Sequence, residues 1–213
     1  YADNSYGMIV GADDYQDIFV GRFSAETGAH VTTQVDRTIT YERDILSSAT
    51  WFNHAIGFGS SEGTGDDGEY DYEHINNILT DLSGYGYTTH ECHQANGSPA
   101  LMSSLINAGA GTIFYCGHGY EYGWWTSSWE YNVNDVNALT NENELPFIFT
   151  VACVVGEFKS TTCFSEALQR ATNNGVPTGA IVNCGATINQ SWFPPMAAED
   201  EMADITEVLD RSR

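Results

Sequence analysis

Cys153 and His118 are the two residues of this chain whose types and settings suit nucleophilic catalysis. Cys153 ends the apolar run Phe147-Ile148-Phe149-Thr150-Val151-Ala152, and His118 follows the run Thr112-Ile113-Phe114-Tyr115-Cys116 with a glycine on either side. A thiol after an apolar run is most often an inert buried group. One at the exit of a central strand is placed to meet substrate, and a helix N-terminus close behind would favour its thiolate. A histidine that merely fills a core does not need flexible backbone before and after it. A general base must reach outward, and the Gly119 amide could lie beside a developing oxyanion. A thiolate and an imidazole brought to one edge would make a cysteine peptidase.

Three further residues could complete such a site. Glu62, within Gly59-Ser60-Ser61-Glu62-Gly63, could orient His118 and stabilise its cation, or it is a solvated loop glutamate. Asp71 lies just before a helical pattern and could be its N-cap; the alternative is a pocket carboxylate that binds a basic side chain in charge-assisted, bidentate fashion. Trp192, in Asn189-Gln190-Ser191-Trp192-Phe193-Pro194-Pro195-Met196, could wall a pocket and stack on a guanidinium, or simply pack. Ser60 and Ser61 do not form Gly-x-Ser-x-Gly, so a serine-hydrolase elbow is unsupported.

These residues must be positioned by the elements around them. Short apolar runs rich in β-branched and aromatic residues read as buried parallel strands, and ligands sit beyond the carboxyl ends of such strands. His54–Gly59 reads as a strand, as do the runs before His118 and Cys153 and the segment Thr178–Cys184. A short strand is expected at Met8–Val10. Ile75, Ile78, Leu79 and Leu82 keep the spacing of a core-facing helix stopped by Gly84. Ser98 and Pro99 open another, with Leu101, Leu105 and Ile106 expected inside and Gly109 at its end. Val31, Val35, Thr38 and Ile39 follow helical spacing. A short helix is expected over Val133–Leu139, after a loop rich in Trp and Tyr. A further helix carries Phe164, Leu168 and Ala171 on one side and ends at Gly175. Met202, Ile205, Val208 and Leu209 suggest a final one. Alternating strands and helices predict an α/β fold with a mainly parallel sheet.

The length of 213 residues allows one sizeable core, with no linker or repeat to mark a boundary. No stretch reaches the ~18 apolar residues needed to span a bilayer. The formal charge of −22, from 29 acidic and 7 basic residues, repels nucleic acid and anionic lipid; it reads first as a solvated acidic exterior, as in proteins from salty habitats, with steering of cationic partners as a secondary benefit. Five cysteines leave at least one outside any intramolecular disulfide, and their spacing has no zinc-site pattern.

Several stretches resemble the catalytic domain of the gingipains, the secreted clan CD cysteine peptidases, and the Arg-specific branch in particular. They are Asp17–Ser24 (DIFVGRFS), Asp36–Arg43 (DRTITYER), Gly117–Gly119, Leu145–Cys153 (LPFIFTVAC), Cys163–Arg170 (CFSEALQR) and Thr187–Trp192 (TINQSW), in family order. The resemblance implies a caspase-like three-layer sandwich and an endopeptidase cutting after Arg. It makes Cys153 the nucleophile, His118 the base and acid, and Glu62 the third catalytic carboxylate. The amides of Gly119 and Cys153 would form the oxyanion hole, and Asp71, Trp192 and Met196 the P1 pocket. It implies substrates with Arg at P1, a secreted or cell-surface location in a bacterium, no cofactor for the chemistry, and structural calcium whose ligands the pattern does not place. Residues 1–213 would be one catalytic subdomain of a protein that also has an N-terminal α/β subdomain and a C-terminal immunoglobulin-like domain, and other segments of that precursor are possible partners. The bulky Tyr120, Trp124 and Trp125 after His118 are a departure from the family that bears on subsites beyond P1. The final Arg211-Ser212-Arg213 would suit self-cleavage after arginine, and a trimmed or disordered end would explain it equally well. A silent domain that keeps the fold, or a clan CD peptidase with another P1 preference, are the alternatives.

Overall fold

In the computed structural model, which describes residues 3–210 apart from 14, 46, 47 and 160, the chain alternates helices and strands. In order these are α1 (Gly28–Arg43), β1 (His54–Gly59), α2 (Asp71–Gly84), β2 (Thr88–Glu91), α3 (Pro99–Asn107) and β3 (Thr112–Cys116). Then come β4 (His118–Tyr120), β5 (Gly123–Trp125), β6 (Glu130–Asn132), α4 (Val133–Asn137) and β7 (Phe147–Val151). Last are α5 (Phe164–Arg170), β8 (Thr172–Asn173), β9 (Val176–Pro177), β10 (Val182–Cys184) and α6 (Phe193–Asp210).

The main sheet runs β10-β7-β3-β1-β2, every pair parallel. Strand pleating divides its side chains between two cores. On one face Ile113, Tyr115, Ile56, Phe58 and Ile148 meet Met102 and Ile106 of α3, Val136 of α4 and Phe164 and Leu168 of α5. On the other, Phe114, Cys116, Ala55 and Val151 meet Ile75, Ile78, Leu79 and Leu82 of α2 and Met196 and Ala203 of α6. The result is the expected three-layer sandwich. The chain moves outward from β1 to β2 and returns to place β3 on the other side of β1. The carboxyl ends of β1 and β3 therefore frame a switch point.

Local expectations fare unevenly. α2 and the Ser98-capped α3 form as the pattern requires, and Ser98 Oγ accepts the Leu101 N–H. Leu101 itself faces outward, while Met102 and Ile106 are buried. α1 forms, but Val31, Val35 and Ile39 are exposed and the buried side chains are Gln34 and Arg37. Met202 and Ile205 likewise point outward from α6, whose buried residues are Met196, Glu199 and Ala203. Met8–Val10 forms no strand. The loop after His118 is a three-stranded antiparallel sheet, β4-β5-β6, with Trp124 in the core. Gly175 does not end a helix: α5 stops at Arg170, and Asn174 and Gly175, both at positive φ, turn the β8–β9 hairpin. The last strand occupies only Val182–Cys184 of its expected span. The side chains of Val208 and Leu209 and residues 211–213 lie outside the described residues. No described helix is long and apolar enough to cross a membrane.

Candidate active site

Strand register brings His118 and Cys153 to one rim. β3 pairs with β7 so that Cys116 faces Val151, the Gly117 N–H donates to Val151 O at 3.0 Å, and His118 and Cys153 each lie two residues further on. Gly119 is required here, because a Cβ at that position would meet Cys153 O at 2.7 Å and Ala152 Cβ at 2.8 Å. The Gln190 N–H lies 3.5 Å from Cys153 Sγ, and the His118 ring stands edge-on to Trp192 with centroids 5.1 Å apart. Gln190 and Trp192 thus span thiol and imidazole from the same loop. Among the described residues no hydrogen bond joins Cys153 Sγ to the His118 ring; such contacts often tighten only in the substrate complex. Both residues are half-buried and open to solvent.

What holds His118 differs from the expectation. Glu62 is exposed, and its carboxylate makes no hydrogen bond among the described residues. Instead the buried Tyr115 hydroxyl donates to His118 O at 2.6 Å, and Trp125 flanks the ring at 5.4 Å. Among the described residues no helix N-terminus stands close behind Cys153, since α5 starts only at Phe164. The other thiols are poorer nucleophiles: burial raises the pKa of Cys92, Cys116 and Cys163, the last to about 11.

Asp71 is the first residue of α2 and fully buried. It is carried there because α2 lies directly against the end of β1, where a Cβ on Gly59 would meet Asp71 O at 2.7 Å. One carboxylate oxygen accepts the Trp192 indole N–H at 2.7 Å and lies 3.5 Å from the Cys116 thiol, and the other accepts the Ser60 hydroxyl. Met196 and Trp192 meet over Gly65, whose added Cβ would lie 2.8 Å from Trp192 Cδ1 and 2.9 Å from Met196 Cε. Asp71, Trp192 and Met196 therefore converge at the β1–β3 switch point, below the same indole that touches His118. Ser60, Tyr115, Cys116 and Gln190 complete the site without a sequence signal of their own beyond proximity to strand ends.

Deeper in, Glu199 of α6 is buried beside His74 of α2, with His74 Nε2 3.3 Å from Glu199 Oε2. Burial pushes the Glu199 carboxyl up to about 7. Burial alone would lower the His74 pKa, but Glu199, Asp200 and Glu69 outweigh it and raise it. Among the described residues no group of three or more His, Cys, Asp or Glu side chains could hold a metal ion. Side-chain clusters of that kind thus leave the calcium implied by the resemblance unplaced, and no step is routed through it.

Comparison with known proteins gives this arrangement its context. Residues 1–209 match the family described as Peptidase family C25. Gingipain R2 and gingipain R1 of Porphyromonas gingivalis are each 45% identical over 208 residues, 96% of this chain but only 28% and 21% of those proteins. Lys-gingipain HG66 of the same organism is 23% identical over 190 residues. The crystal structure of the Arg specific cysteine proteinase gingipain R superposes with a TM-score of 0.91 at 44% identity, covering 96% of this chain and 48% of that one. A complex of Porphyromonas gingivalis pro- and mature domains superposes equally well, at 43% identity. The chain thus spans about a quarter of the curated relatives it matches and about half of the solved chains.

Proposed function

The chain belongs to peptidase family C25, and from that membership and the geometry of the rim we propose that it is a cysteine endopeptidase that cleaves after arginine. The observation that carries the reading is the placement of a buried carboxylate, Asp71, one indole away from the His118–Cys153 rim. His118 takes the proton of Cys153 Sγ, and the thiolate attacks the carbonyl carbon of the P1 arginine. The amides of Gly119 and Cys153 are the donors proposed for the oxyanion. The imidazolium gives its proton to the leaving amine, and water, deprotonated by His118, then releases the acid and restores the thiol.

At P1, the guanidinium takes the place of the Trp192 N–H on Asp71, and the indole and Met196 form the walls. A planar fork suits that carboxylate better than an ammonium, so Arg is favoured over Lys. Glu62 contributes negative charge at the rim, without a fixed bond to His118. The acidic surface speeds encounter with basic peptides, more at low salt. We place the protein outside the cell or at its surface, with protein substrates and with segments of its own precursor as partners. Structural calcium remains part of this reading through the family resemblance alone.

The test is hydrolysis of matched peptide amides with Arg, Lys or citrulline at P1. Turnover strongest for Arg and lost in Cys153→Ala supports the reading. Equal turnover for Arg and citrulline would remove Asp71 from the pocket, and turnover retained in Cys153→Ala would reject the nucleophile.

A further inference from the structure

The two walls of the proposed P1 pocket are tied together one helical turn below it. His74 follows Asp71 by three residues on α2, and Glu199 follows Met196 by three on α6, so each lies beneath a pocket residue on the same helix face. Both are almost completely buried. Neither Glu199 oxygen has a hydrogen-bond partner of ordinary geometry, and neither has His74 Nε2; their nearest counter-group is each other, 3.3 Å away. The opposite ring nitrogen, Nδ1, looks toward solvent-side acids, Glu69 at 3.4 Å and Asp200 at 3.6 Å. Among the described residues Cys116 from β3 also interacts with Glu199 and Asp200, Asp71 lies 3.5 Å from the Cys116 thiol, and Asp66 and Asp67 act on Asp200 from further out.

A buried ion pair rarely stabilises a fold more than an apolar pair of similar size, and its best-attested use is to fix register. Here the register at stake is that of α6 against α2, the two helices that carry Met196 and Asp71. We propose that His74 and Glu199 are positioning residues for P1 recognition: their contact through Nε2 holds α6 where Trp192 and Met196 close around Asp71. This rests on Asp71 being the P1 acid. Neither residue touches the reacting atoms, so the clamp acts on binding of the arginine side chain and leaves the thiol's chemistry alone.

The two nitrogens of His74 can be tested separately, since a glutamine amide reaches the place of Nε2 and an asparagine amide the place of Nδ1. His74→Gln keeps the link to Glu199, while His74→Asn loses it and keeps only the longer Nδ1 links to Glu69 and to Asp200, which lies at the solvent edge of α6. With an Arg-amide substrate, His74→Asn should raise KM about tenfold with kcat within about twofold, and His74→Gln should stay within about threefold of the parent. Alkylation of Cys153 by iodoacetamide, which has no P1 group, should proceed at the parent rate in both. Should His74→Asn not melt cooperatively, Glu199→Met carries the test, since it fills the volume and removes the contact; its KM for Arg should also rise about tenfold. Equal KM values in His74→Asn and His74→Gln, an unchanged KM in Glu199→Met, or equal losses with Arg and citrulline substrates overturn the clamp. Asp71→Asn run in parallel separates the two claims. If it abolishes Arg preference while the clamp variants behave alike, only the clamp fails; if it leaves Arg preference intact, the pocket assignment fails and the clamp with it.

Discussion

The rim around Cys153 and the pocket base around Asp71 are built in opposite ways. At the rim, thiol and imidazole are half-open to solvent and are held chiefly at the main chain: by strand register, the Gly117 amide, the Gln190 amide, and the His118 carbonyl, which accepts the Tyr115 hydroxyl. At the base the carboxylate is fully buried, and side chains do the fixing, with Ser60, Cys116 and Trp192 on Asp71 and His74 on Glu199 below. In the proposed reaction a proton moves at the rim, where the groups are half-open to solvent. In the proposed recognition a cation meets the base, where a pre-set carboxylate would spare the cost of arranging it at each encounter.

Removing either end should show the division of labour. Cys153→Ala should lower hydrolysis of an Arg-amide by about 10⁴-fold or more, whatever the P1 residue, as read by steady-state kinetics. Asp71→Asn should lower kcat/KM for Arg by roughly 30- to 3,000-fold and leave a citrulline substrate nearly unaffected. A loss shared equally by both substrates would erase the distinction between rim and base.

The base should also carry a pH signature that the rim lacks. Glu199 binds its proton more tightly in the folded state, with a pKa of about 7 against 4.5, so its contribution is full below 4.5 and is lost as pH rises through 7. His74 is raised as well, and its contribution fades as pH rises above 6.5. Both signs agree. Stability to urea should fall between pH 5 and 8, by an amount on the order of 2 kcal/mol from these groups, and Glu199→Gln should flatten the slope. A slope unchanged in that variant would mean that the buried pair does not titrate as described.

The smallest effect is expected at Glu62. Its side chain is exposed and not bonded to His118, so Glu62→Gln should change kcat/KM by less than about tenfold, and the change should shrink in high salt. A much larger, salt-insensitive loss would show that the carboxylate closes on His118 during turnover.

The sequence made the rim legible because strand ends announce themselves: an apolar run that stops at Cys or at Gly-His-Gly leaves little choice about where the side chain emerges. It made α2 legible because one face is uniformly apolar. In α1 and α6 helices form as the spacing requires, but spacing does not say which face is buried: Val31, Val35, Ile39, Met202 and Ile205 face outward and polar residues face in. In α1 the reason is Arg37, which donates to the carbonyls of Leu168 at 3.0 Å, Thr178 at 3.0 Å and Ala171 at 3.2 Å, and also to Ala180. Four backbone acceptors gathered beside α5 need a donor more than they need a methyl group. In α6 Glu199 takes an inner position because His74 faces it. Neither partner set is local in sequence, so no spacing rule reveals it. Glu62 is the converse case: nearness to a strand end fixes where the residue starts, while its exposed side chain makes no hydrogen bond to His118 among the described residues.

In the proposed reaction a single reactive thiol is addressed through a P1 arginine. The direct measurement is treatment with an arginyl chloromethylketone, followed by peptide mapping of the alkylated cysteine. One adduct on Cys153, formed far more slowly in Asp71→Asn, is the expected result. A folded protein that takes no label, or takes it on the exposed Cys184 instead, would contradict the assignment.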